Sequence, residues 1–422
     1  MALLTQGPKG TQDILPGQSE KWQKMEFVLL DEAANHGFSE IRTPVFEHTE
    51  LFQRSVGETT DVVQKEMYTF TDKGGRSITL RPEGTAGAVR SILEHSLYNN
   101  ALPLKVCYVT SCYRYEKPQA GRLREFHQFG IEMIGTNEPI ADADVIIVAH
   151  DAFKRLGIKN LRLELNSIGC PTCRKEYHKA LKAYFEQYTD KLCATCLSRL
   201  EKNPMRILDC KSPICSEIAK DAPKIIDHLC EECDSHFKQV QKYLNAAEIE
   251  YVINPTIVRG LDYYTNTVFE FVSSDLGSQS TVCGGGRYNG LCEEMSGKDL
   301  PALGFAVGLE RLLMIMEAQK IEMPEKRPCE LYIASIGEKA EEKAFVLKTA
   351  LQRCGVSAEC NMCARGLKAQ MKYADKLGAK YTIVLGDDEV EANKATVKNM
   401  TTGEKTEISL GDDFTLAFAN LD

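Results

Sequence analysis

The stretch TSCYRYEKPQAGRLREFHQFGIEMIG, residues 110–135, decides the interpretation of this chain. Arg114 and Glu116 are two residues apart, so on a β-strand their side chains share one face. Proline and glycine mark a turn in the middle, and a second strand-like run with Gln128 and Glu132 in alternating register follows. The stretch therefore predicts a hairpin whose polar face carries charges of both signs. On local grounds, that face is either solvated or part of a binding site.

Further strand-like runs surround the hairpin and indicate an antiparallel sheet in an α+β fold. Residues 161–245 differ, because they are rich in Lys, Glu and Cys and have apolar residues at helical spacing, which predicts a helical insertion. Strand character returns in residues 246–325, so we expect a core made of residues 1–160 and 246–325. Residues 328–422 alternate strand and helix and predict a separate α/β domain.

Composition limits the class of protein. The 422 residues are 43% hydrophobic and 26% charged, which is typical of a soluble protein of two or three domains. No apolar run of about 18 residues occurs, and the N-terminus lacks a signal-peptide pattern, so we expect no membrane contact and a cytoplasmic location. The net charge of −9 argues against general attraction to nucleic acid, although a locally basic surface is compatible with it.

Two other segments break local rules. GFSEIRTPVFEHTELF, residues 37–52, has Pro44 inside a strand-like run, which is typical of an edge or bulge. GFAVGLERL, residues 304–312, turns from a strand into a helix with Arg311 in the first turn. A cation there opposes the helix dipole at a cost of about 0.3–1 kcal/mol. Such conflicts are found at functional sites.

In this order and at these separations, the three segments resemble the signature motifs of class II aminoacyl-tRNA synthetases. The segment with Pro44 resembles motif 1, which forms the dimer interface in that class. The hairpin resembles motif 2, and residues 308–311 resemble motif 3. Each motif is loose, but all three in order before an α/β domain are much more specific.

Four other stretches narrow the resemblance to the histidyl-tRNA synthetase family. They are PKGTQDILP (8–16), LRPEGTAGAVR (80–90), VRGLDYYTNTVFEF (258–271) and GGGRYNGL (284–291). The resemblance covers essentially the whole chain. It implies ATP-dependent attachment of L-histidine to its tRNA through a histidyl-adenylate, a homodimer, and a C-terminal domain that binds the anticodon.

The resemblance also implies the ATP site. Histidine activation brings a carboxylate to the α-phosphate of ATP, and fixed cations stabilise the charge that develops there. Arg114 and Arg259 would flank the α-phosphate, and Arg122 and Arg311 would hold the β- and γ-phosphates with Mg²⁺ bridging them. Glu116 completes this catalytic set.

A histidine pocket must contact both ring nitrogens, since neutral imidazole donates at one and accepts at the other. Glu132 and Tyr264 can serve as the acceptor and the hydroxyl partner. The residues that the resemblance adds to the pocket are Glu83, Thr85 and Gln128 around the ammonium end, together with Arg259, Tyr263 and Tyr288. Asp262 has no assigned role, and no side chain is nominated as the base for transfer to tRNA.

Two groups of residues are candidates for tRNA contact. Gln119 and Arg124 lie in the motif 2 loop, which faces the acceptor end in the family. Lys368 and Lys372 are four residues apart on one predicted helix face, with Arg365 nearby, and such a stripe can neutralise phosphates. A solvated face fits the spacing equally well, and the resemblance favours the anticodon stem-loop.

The insertion departs from the broad family pattern, because zinc is not a general requirement of the family. Sixteen cysteines in a chain of this kind should be mostly reduced. The consecutive pairs Cys170–Cys173 and Cys193–Cys196 have spacing that fits a Cys₄ zinc site. The remaining cysteines of the segment are Cys210, Cys215, Cys230 and Cys233. Two structural Zn²⁺ ions, one, or none with free thiols are the alternatives; a metal would stabilise an insertion with a thin core, and that insertion would touch the acceptor arm.

Two other functions compete with the enzyme. A noncatalytic, synthetase-like regulatory subunit of ATP phosphoribosyltransferase would be expected to lose the catalytic arginines and the last domain. This chain keeps Arg114, Arg259 and Arg311, and it has that domain. A zinc-dependent binding module with a vestigial core meets the same objection.

Overall fold

The computed structural model describes residues 5–57, 60, 62–208, 210, 212–257, 263–275 and 281–421. The chain divides into two compact units, Met1–Pro324 and Glu325–Asp422. In the part of the chain that is described, no helix is both long enough and apolar enough to span a membrane.

Strands of the first unit alternate with helices along the chain. The strands are β1 Ser39–Glu40, β2 Phe46–His48, β3 Tyr68–Thr71, β4 Ser77–Leu80, β5 Leu104–Tyr113, β6 Glu125–Ile134, β7 Leu161–Ser167, β8 Val252–Ile253, β9 Thr265–Ser273, β10 Thr281–Arg287 and β11 Ala302–Gly308. The helices are α1 Ser19–Asn35, α2 Thr49–Val56, α3 Thr85–Glu94, α4 Pro139–Arg155, α5 Pro171–Phe185, α6 Ala194–Lys202, α7 Pro213–Lys220, α8 Glu231–Ala246, α9 Leu291–Ser296 and α10 Leu309–Ala318.

The main sheet contains eight strands among the described residues, in the order β1-β5-β6-β11-β10-β9-β7-β8. Only the edge pairs β1–β5 and β7–β8 run parallel in that sheet as described, and the neighbours between them are antiparallel. Strands β2, β4 and β3 form a smaller antiparallel sheet. The α+β class with an antiparallel-dominated core is therefore confirmed.

One face of the main sheet is covered by helices α1, α4 and α10. The apolar stripe of α4 packs there, and Phe153 lies edge-on to Phe271 of β9 with ring centroids 5.2 Å apart. Burial of these side chains fixes the three helices on this face of the sheet.

The insertion consists of α5–α8, placed between β7 and β8. Its apolar residues at helical spacing, Tyr177, Leu181 and Phe185, are all buried. Residues 161–167, which the sequence analysis assigned to the insertion, instead form β7 of the main sheet. Their period-two pattern explains this, because Leu163 and Leu165 point into the core while the helical pattern starts only after Pro171.

The second unit is a sheet with helices packed on it. Its elements are β12 Leu331–Ser335, α11 Glu338–Arg353, β13 Ala358–Cys360, α12 Leu367–Lys376, β14 Tyr381–Leu385, α13 Asp387–Ala392, β15 Lys394–Asn399, β16 Lys405–Ser409 and α14 Phe414–Ala419. The strand order is β13-β12-β14-β15-β16, with the first three strands parallel and the last pairs antiparallel. The predicted alternation of strand and helix is present.

Candidate active site

The predicted hairpin is formed by β5 and β6, and its loop is tightly closed. Arg114 N–H donates to the Arg124 carbonyl at 2.8 Å, which continues the pairing beyond the strands. Gln119 and Arg122 exchange two backbone hydrogen bonds of 3.0 and 2.9 Å around Gly121. Gly121 has a φ of +69°, which a glycine adopts without steric cost. The loop therefore holds its cations in a defined geometry.

Three guanidinium groups converge beside this loop. Arg114 Nε donates to the Pro82 carbonyl at 2.8 Å, and an Arg122 Nη1 lies 2.9 Å from Glu116 Oε2. Arg311, at the start of α10, donates to the carbonyls of Gly121 and Thr281 at 3.2 and 2.6 Å.

Arg311 is strongly desolvated. Burial, reinforced by the positive charge of Arg122, lowers the pKa of Arg311. An arginine still remains protonated near neutral pH, so the site concentrates positive charge. That arrangement attracts a polyanion such as a triphosphate.

All four predicted ATP-site residues that are described line one cavity of about 260 Å³. They are Arg114, Glu116, Arg122 and Arg311. The same cavity is lined by Glu83, Thr85, Gln128, Tyr263 and Tyr264 from the predicted histidine pocket. The structure thus joins a cationic end and a carboxylate- and tyrosine-lined end in one space.

Glu83 is fixed at the entrance to helix α3. Its carboxylate accepts hydrogen bonds from the backbone N–H groups of Thr85 and Ala86, at 2.6 and 2.9 Å. These are groups that a helix leaves without intrahelical partners in its first turn. Burial raises the pKa of Glu83, although those two N–H groups and Arg114 favour the charged form. A carboxylate held in this way is suited to an ammonium group.

Glu132 and Tyr288 do not line the cavity but lie buried beneath it. The Glu132 carboxylate accepts hydrogen bonds from the Tyr108 hydroxyl at 2.9 Å and from the Tyr288 hydroxyl. Burial raises the pKa of Glu132 to about 8. The Tyr108 hydroxyl also lies 3.4 Å from Thr85 Oγ1, so it links Glu132 to the lining of the cavity.

Sequence reasoning missed Tyr108. It stands on β5 at an even spacing from Arg114, and its neighbour across the hairpin is Gly130. A Cβ atom at Gly130 or Gly84 would overlap the Tyr108 ring. The signal that could have found it is therefore the shared strand face with Arg114, combined with an opposing glycine that leaves room for a ring.

The three tyrosines predicted for the histidine pocket are in contact with one another. Ring centroids of Tyr263 lie 4.7 Å from Tyr264 and 5.4 Å from Tyr288. Burial raises the pKa of Tyr263 and Tyr288 well above the usual value, so both hydroxyls stay protonated and can donate. Arg259 and Asp262 lie outside the described residues.

The eight cysteines of the insertion meet in two groups of four. The inner cluster is Cys170, Cys173, Cys230 and Cys233, and the outer cluster is Cys193, Cys196, Cys210 and Cys215. Within each group the sulfur atoms lie within 4.8 Å of one another. The consecutive pairing of Cys170–Cys173 with Cys193–Cys196 suggested by their spacing is therefore wrong. Helices α5 and α8 bring the first and last pairs together, which spacing along the chain cannot reveal.

Each cluster contains one cysteine whose thiol has a lowered pKa. Burial opposes the Cys170 thiolate, but the Cys173 N–H and thiol outweigh it and lower the pKa of Cys170 to about 7. The Cys196 N–H lowers the pKa of Cys193 to about 7. Thiolates are the form that binds metal, and four of them at this separation match a tetrahedral zinc site.

Candidate tRNA contacts are found in both units. In the hairpin loop, Gln119 is exposed, while the Arg124 guanidinium stacks 3.9 Å from the Tyr115 ring centroid. In the second unit, Lys368 and Lys372 are exposed on one face of α12, and Arg365 stacks 4.2 Å from the Tyr373 ring centroid. The opposite face of α12 is anchored by buried Ala374 and Gln370.

An antiparallel sheet that presents a charged hairpin loop and a strand-to-helix arginine to one cationic cavity defines a class II aminoacyl-tRNA synthetase. Comparison with known proteins identifies the family within that class. Residues 10–312 match the family model described as histidyl-tRNA synthetase, and residues 330–415 match that of an anticodon binding domain. The chain belongs to the histidyl-tRNA synthetase family, as its motifs predicted.

Relatives support that assignment over the full length. A histidine–tRNA ligase of Acetivibrio thermocellus is 55% identical over 97% of this chain and 98% of that protein. The crystal structure of the apo histidyl-tRNA synthetase of S. aureus is 42% identical, with a TM-score of 0.84 over 98% of this chain and 100% of that one. An ATP phosphoribosyltransferase regulatory subunit/histidyl-tRNA synthetase from Bacillus halodurans, 22% identical with a TM-score of 0.65 over 92% of this chain and 99% of that one, shares the fold.

Proposed function

We propose that this protein is a ligase that attaches L-histidine to its tRNA at the expense of ATP, through a histidyl-adenylate. The single observation that carries the proposal is the shared cavity, in which three arginines face a carboxylate- and tyrosine-lined pocket. A triphosphate and an amino acid would meet there with the reacting groups adjacent. The reaction releases pyrophosphate in the first step and AMP in the second.

In the first step, a carboxylate oxygen of histidine attacks the α-phosphorus and pyrophosphate leaves. Arg114 and Arg259 stabilise the charge on the α-phosphate, and Arg122 and Arg311 bind the β- and γ-phosphates. The Glu116 carboxylate in the same cavity fits Mg²⁺, which takes carboxylate and phosphate oxygens. That ion, when bound with ATP, supplies further neutralisation of phosphate charge.

Histidine binds with its ammonium group toward Glu83, Thr85 and Gln128. We assign recognition of the imidazole to Glu132 and the Tyr264 hydroxyl, with Tyr263 in the cavity wall and Tyr288 buried beneath it. Support for this proposal comes from the buried hydroxyl network on Glu132, because a site built to hydrogen-bond a substrate group discriminates strongly against analogues that lack it.

The second step moves the histidyl group to the terminal ribose of tRNA. Gln119 and Arg124 of the hairpin loop contact the acceptor end, and Arg365, Lys368 and Lys372 contact the anticodon stem-loop. A side-chain base for the transfer is not assigned.

Histidine-dependent exchange of pyrophosphate into ATP tests the first step directly. We expect exchange with histidine, and a loss of about a hundredfold or more in Arg114→Gln, since the removed cation stabilises transition-state charge. Arg259 lies outside the described residues. The Arg259→His variant should remain folded, and its rate of histidine-dependent exchange should also be lower by orders of magnitude. Purified protein without histidine-dependent exchange would refute the enzyme and favour a noncatalytic regulatory subunit.

We also propose that the inner and outer clusters each bind one structural Zn²⁺. Sulfur–sulfur distances within 4.8 Å and the paired thiols of each cluster support this. Metal analysis of protein purified without chelator should give about two zinc ions per chain. Cys233→Ser and Cys196→Ser should each remove about one, and a metal content near zero in the unaltered protein would contradict the proposal.

A homodimer and a cytoplasmic location complete the proposal. Phe46 on β2, within the motif 1 segment, and Phe70 on β3 of the same small sheet are 55% and 49% exposed, which fits an apolar subunit interface. Light scattering should report a dimer, and Phe46→Asp should shift it toward monomer. The cytoplasm is where ATP, histidine and tRNA are available together.

A further inference from the structure

The inner cluster is connected by hydrogen bonds to the histidine pocket. Arg174 follows Cys173 at the start of α5, and its Nη1 donates a hydrogen bond to the Tyr264 carbonyl at 3.2 Å. Asn266, two residues beyond Tyr264, exchanges backbone hydrogen bonds with the segment just before Cys170: Asn266 N–H donates to Gly169 at 3.0 Å, and its carbonyl accepts from Ile168 at 2.8 Å. The backbone at Tyr264 and Asn266 is thus held by residues that flank the inner cluster in sequence.

Asn266 also lies close to the sulfur atoms. Cys233 Sγ is 3.9 Å from Asn266 Oδ1, and the Cys230 N–H donates to Cys173 Sγ at 3.1 Å. Asn266 has a φ of +47°, in the left-handed region, so its backbone geometry depends on the contacts around it. A change in the cluster would therefore be felt at the end of the tyrosine segment.

A second route runs through helix α8, which begins at the inner cluster. His236 follows Cys233 by three residues, and its Nε2 lies 3.2 Å from Asp142 Oδ2. The Arg287 Nε–H is shared between the two Asp142 carboxylate oxygens, each 2.9 Å away, and Arg287 Nη2 donates to Asp142 Oδ2 at 2.6 Å; Arg287 has no exposed surface. Arg287 precedes Tyr288, the hydroxyl donor to Glu132. Tyr264 and Tyr288 are consequently both connected to the inner cluster, Tyr264 through α5 and Tyr288 through α8.

The outer cluster offers a contrast. Its described hydrogen bonds stay inside the insertion: the Cys193 N–H donates to Cys215 Sγ at 3.3 Å, and Cys193 Sγ lies 3.9 Å from Cys210 Sγ. It contains the same ligand set and the same separation of sulfurs. It is therefore a matched control within one molecule.

We infer that the inner cluster is a positioning site for the histidine pocket, so that its occupancy by a divalent metal sets the affinity for histidine. The inference rests on the proposed function. Four thiols held within 4.8 Å repel one another when ionised, and a bound cation removes that repulsion and fixes the start of α5. Arg174 then keeps the Tyr264 carbonyl in place. Arg174 is a positioning residue, because it acts through Tyr264.

The test compares Cys230→Ser/Cys233→Ser with Cys193→Ser/Cys196→Ser. Zinc-loaded proteins are freed of unbound metal by gel filtration, because histidine itself binds zinc, and are titrated with histidine by calorimetry. We expect the inner pair to raise the Kd for histidine about tenfold or more, and the outer pair to change it less than about threefold. The KM for ATP in the exchange assay should stay within about twofold for both.

Arg174→Met and Lys175→Met provide the second comparison, which keeps the test decisive if the cysteine variants fold poorly. Lys175 is the exposed neighbour on the same helix. Only Arg174→Met should raise the KM for histidine without a matching rise for ATP. Equal effects of both methionine variants, or of both cysteine pairs, would overturn the inference. A wild-type protein that binds no histidine would overturn the proposed function as well, whereas histidine binding with no inner–outer difference overturns this inference alone.

Discussion

At the scale of single residues, Glu132 is an acidic group buried almost completely in the core of the first unit. It is 1% exposed, it accepts hydrogen bonds from two tyrosine hydroxyls, and burial raises its pKa from 4.5 to about 8. Between those pH values the folded chain keeps a proton that the unfolded chain has released. The free energy of unfolding contributed by Glu132 therefore falls as pH rises from about 4.5 to about 8.

Replacement of Glu132 by glutamine removes this titration. Glu132→Gln should show a smaller decrease in Tm between pH 5 and pH 8 than the unaltered protein, measured by calorimetry at about half-unit intervals of pH. Glu294→Gln, a change at an exposed glutamate of the same unit, should keep the wild-type pH dependence. Parallel curves for all three proteins would show that Glu132 ionises alike in the folded and unfolded states.

Replacing Arg311 by lysine tests whether ATP binding needs the geometry of the guanidinium group or only its positive charge. Its guanidinium donates to two carbonyls while lining the cavity, and a lysine keeps the charge but loses that planar fork. Arg311→Lys should raise the KM for ATP in the exchange assay about 10- to 100-fold, or about 1.4–2.7 kcal/mol. Arg54→Lys, on the exposed face of α2, is the control. A KM for ATP within about twofold of wild type would exclude Arg311 from phosphate binding.

At the scale of elements, strand β11 has no room for a side chain at the position that pairs with Glu132. Gly304 pairs with Glu132 in the sheet, and a Cβ atom there would overlap Glu132 Oε2 and the Ile131 carbonyl. Gly304→Ala should lower the free energy of unfolding by about 1–3 kcal/mol, since neither atom can move freely.

Gly308, at the end of the same strand, is the matched control. A Cβ atom at Gly308 meets nothing within 4 Å, and its φ of −80° suits any residue. Gly308→Ala should therefore leave the stability within about 0.5 kcal/mol of wild type, as measured by denaturant unfolding. If both alanine variants lose the same stability, crowding at Glu132 is not the cause.

Elements were more predictable than the contacts between them. The hairpin with Arg114 and the helix turn with Arg311 follow from local patterns of two and 3.6 residues, and the structure contains both. The partner of Cys170 could not be deduced, because it depends on where α8 returns after about sixty residues. Tyr108 was missed for a similar reason: its role comes from Glu132 and Gly130 on the neighbouring strand, and a single tyrosine in an apolar strand carries no sign of that.

At the scale of the whole molecule, the residues proposed for adenylate formation and those proposed for the anticodon belong to different units. Among the described residues, the cavity proposed to bind ATP and histidine is lined by Met1–Pro324, whereas the exposed lysines of α12 belong to Glu325–Asp422. Adenylate formation should therefore be independent of the second unit, and tRNA binding should depend on it. A charge reversal confined to α12 separates these two requirements.

The last prediction concerns Lys368→Glu/Lys372→Glu. Because each lysine would pair with a tRNA phosphate, the double variant should weaken tRNA binding at least about tenfold and reduce the slope of log K against log salt by about two. Histidine-dependent pyrophosphate exchange should stay within about twofold. Lys398→Glu/Lys405→Glu makes the same change of charge on two lysines paired across β15 and β16. If that control weakens tRNA binding equally, the effect comes from the net charge of the unit, and the face of α12 is not the anticodon contact.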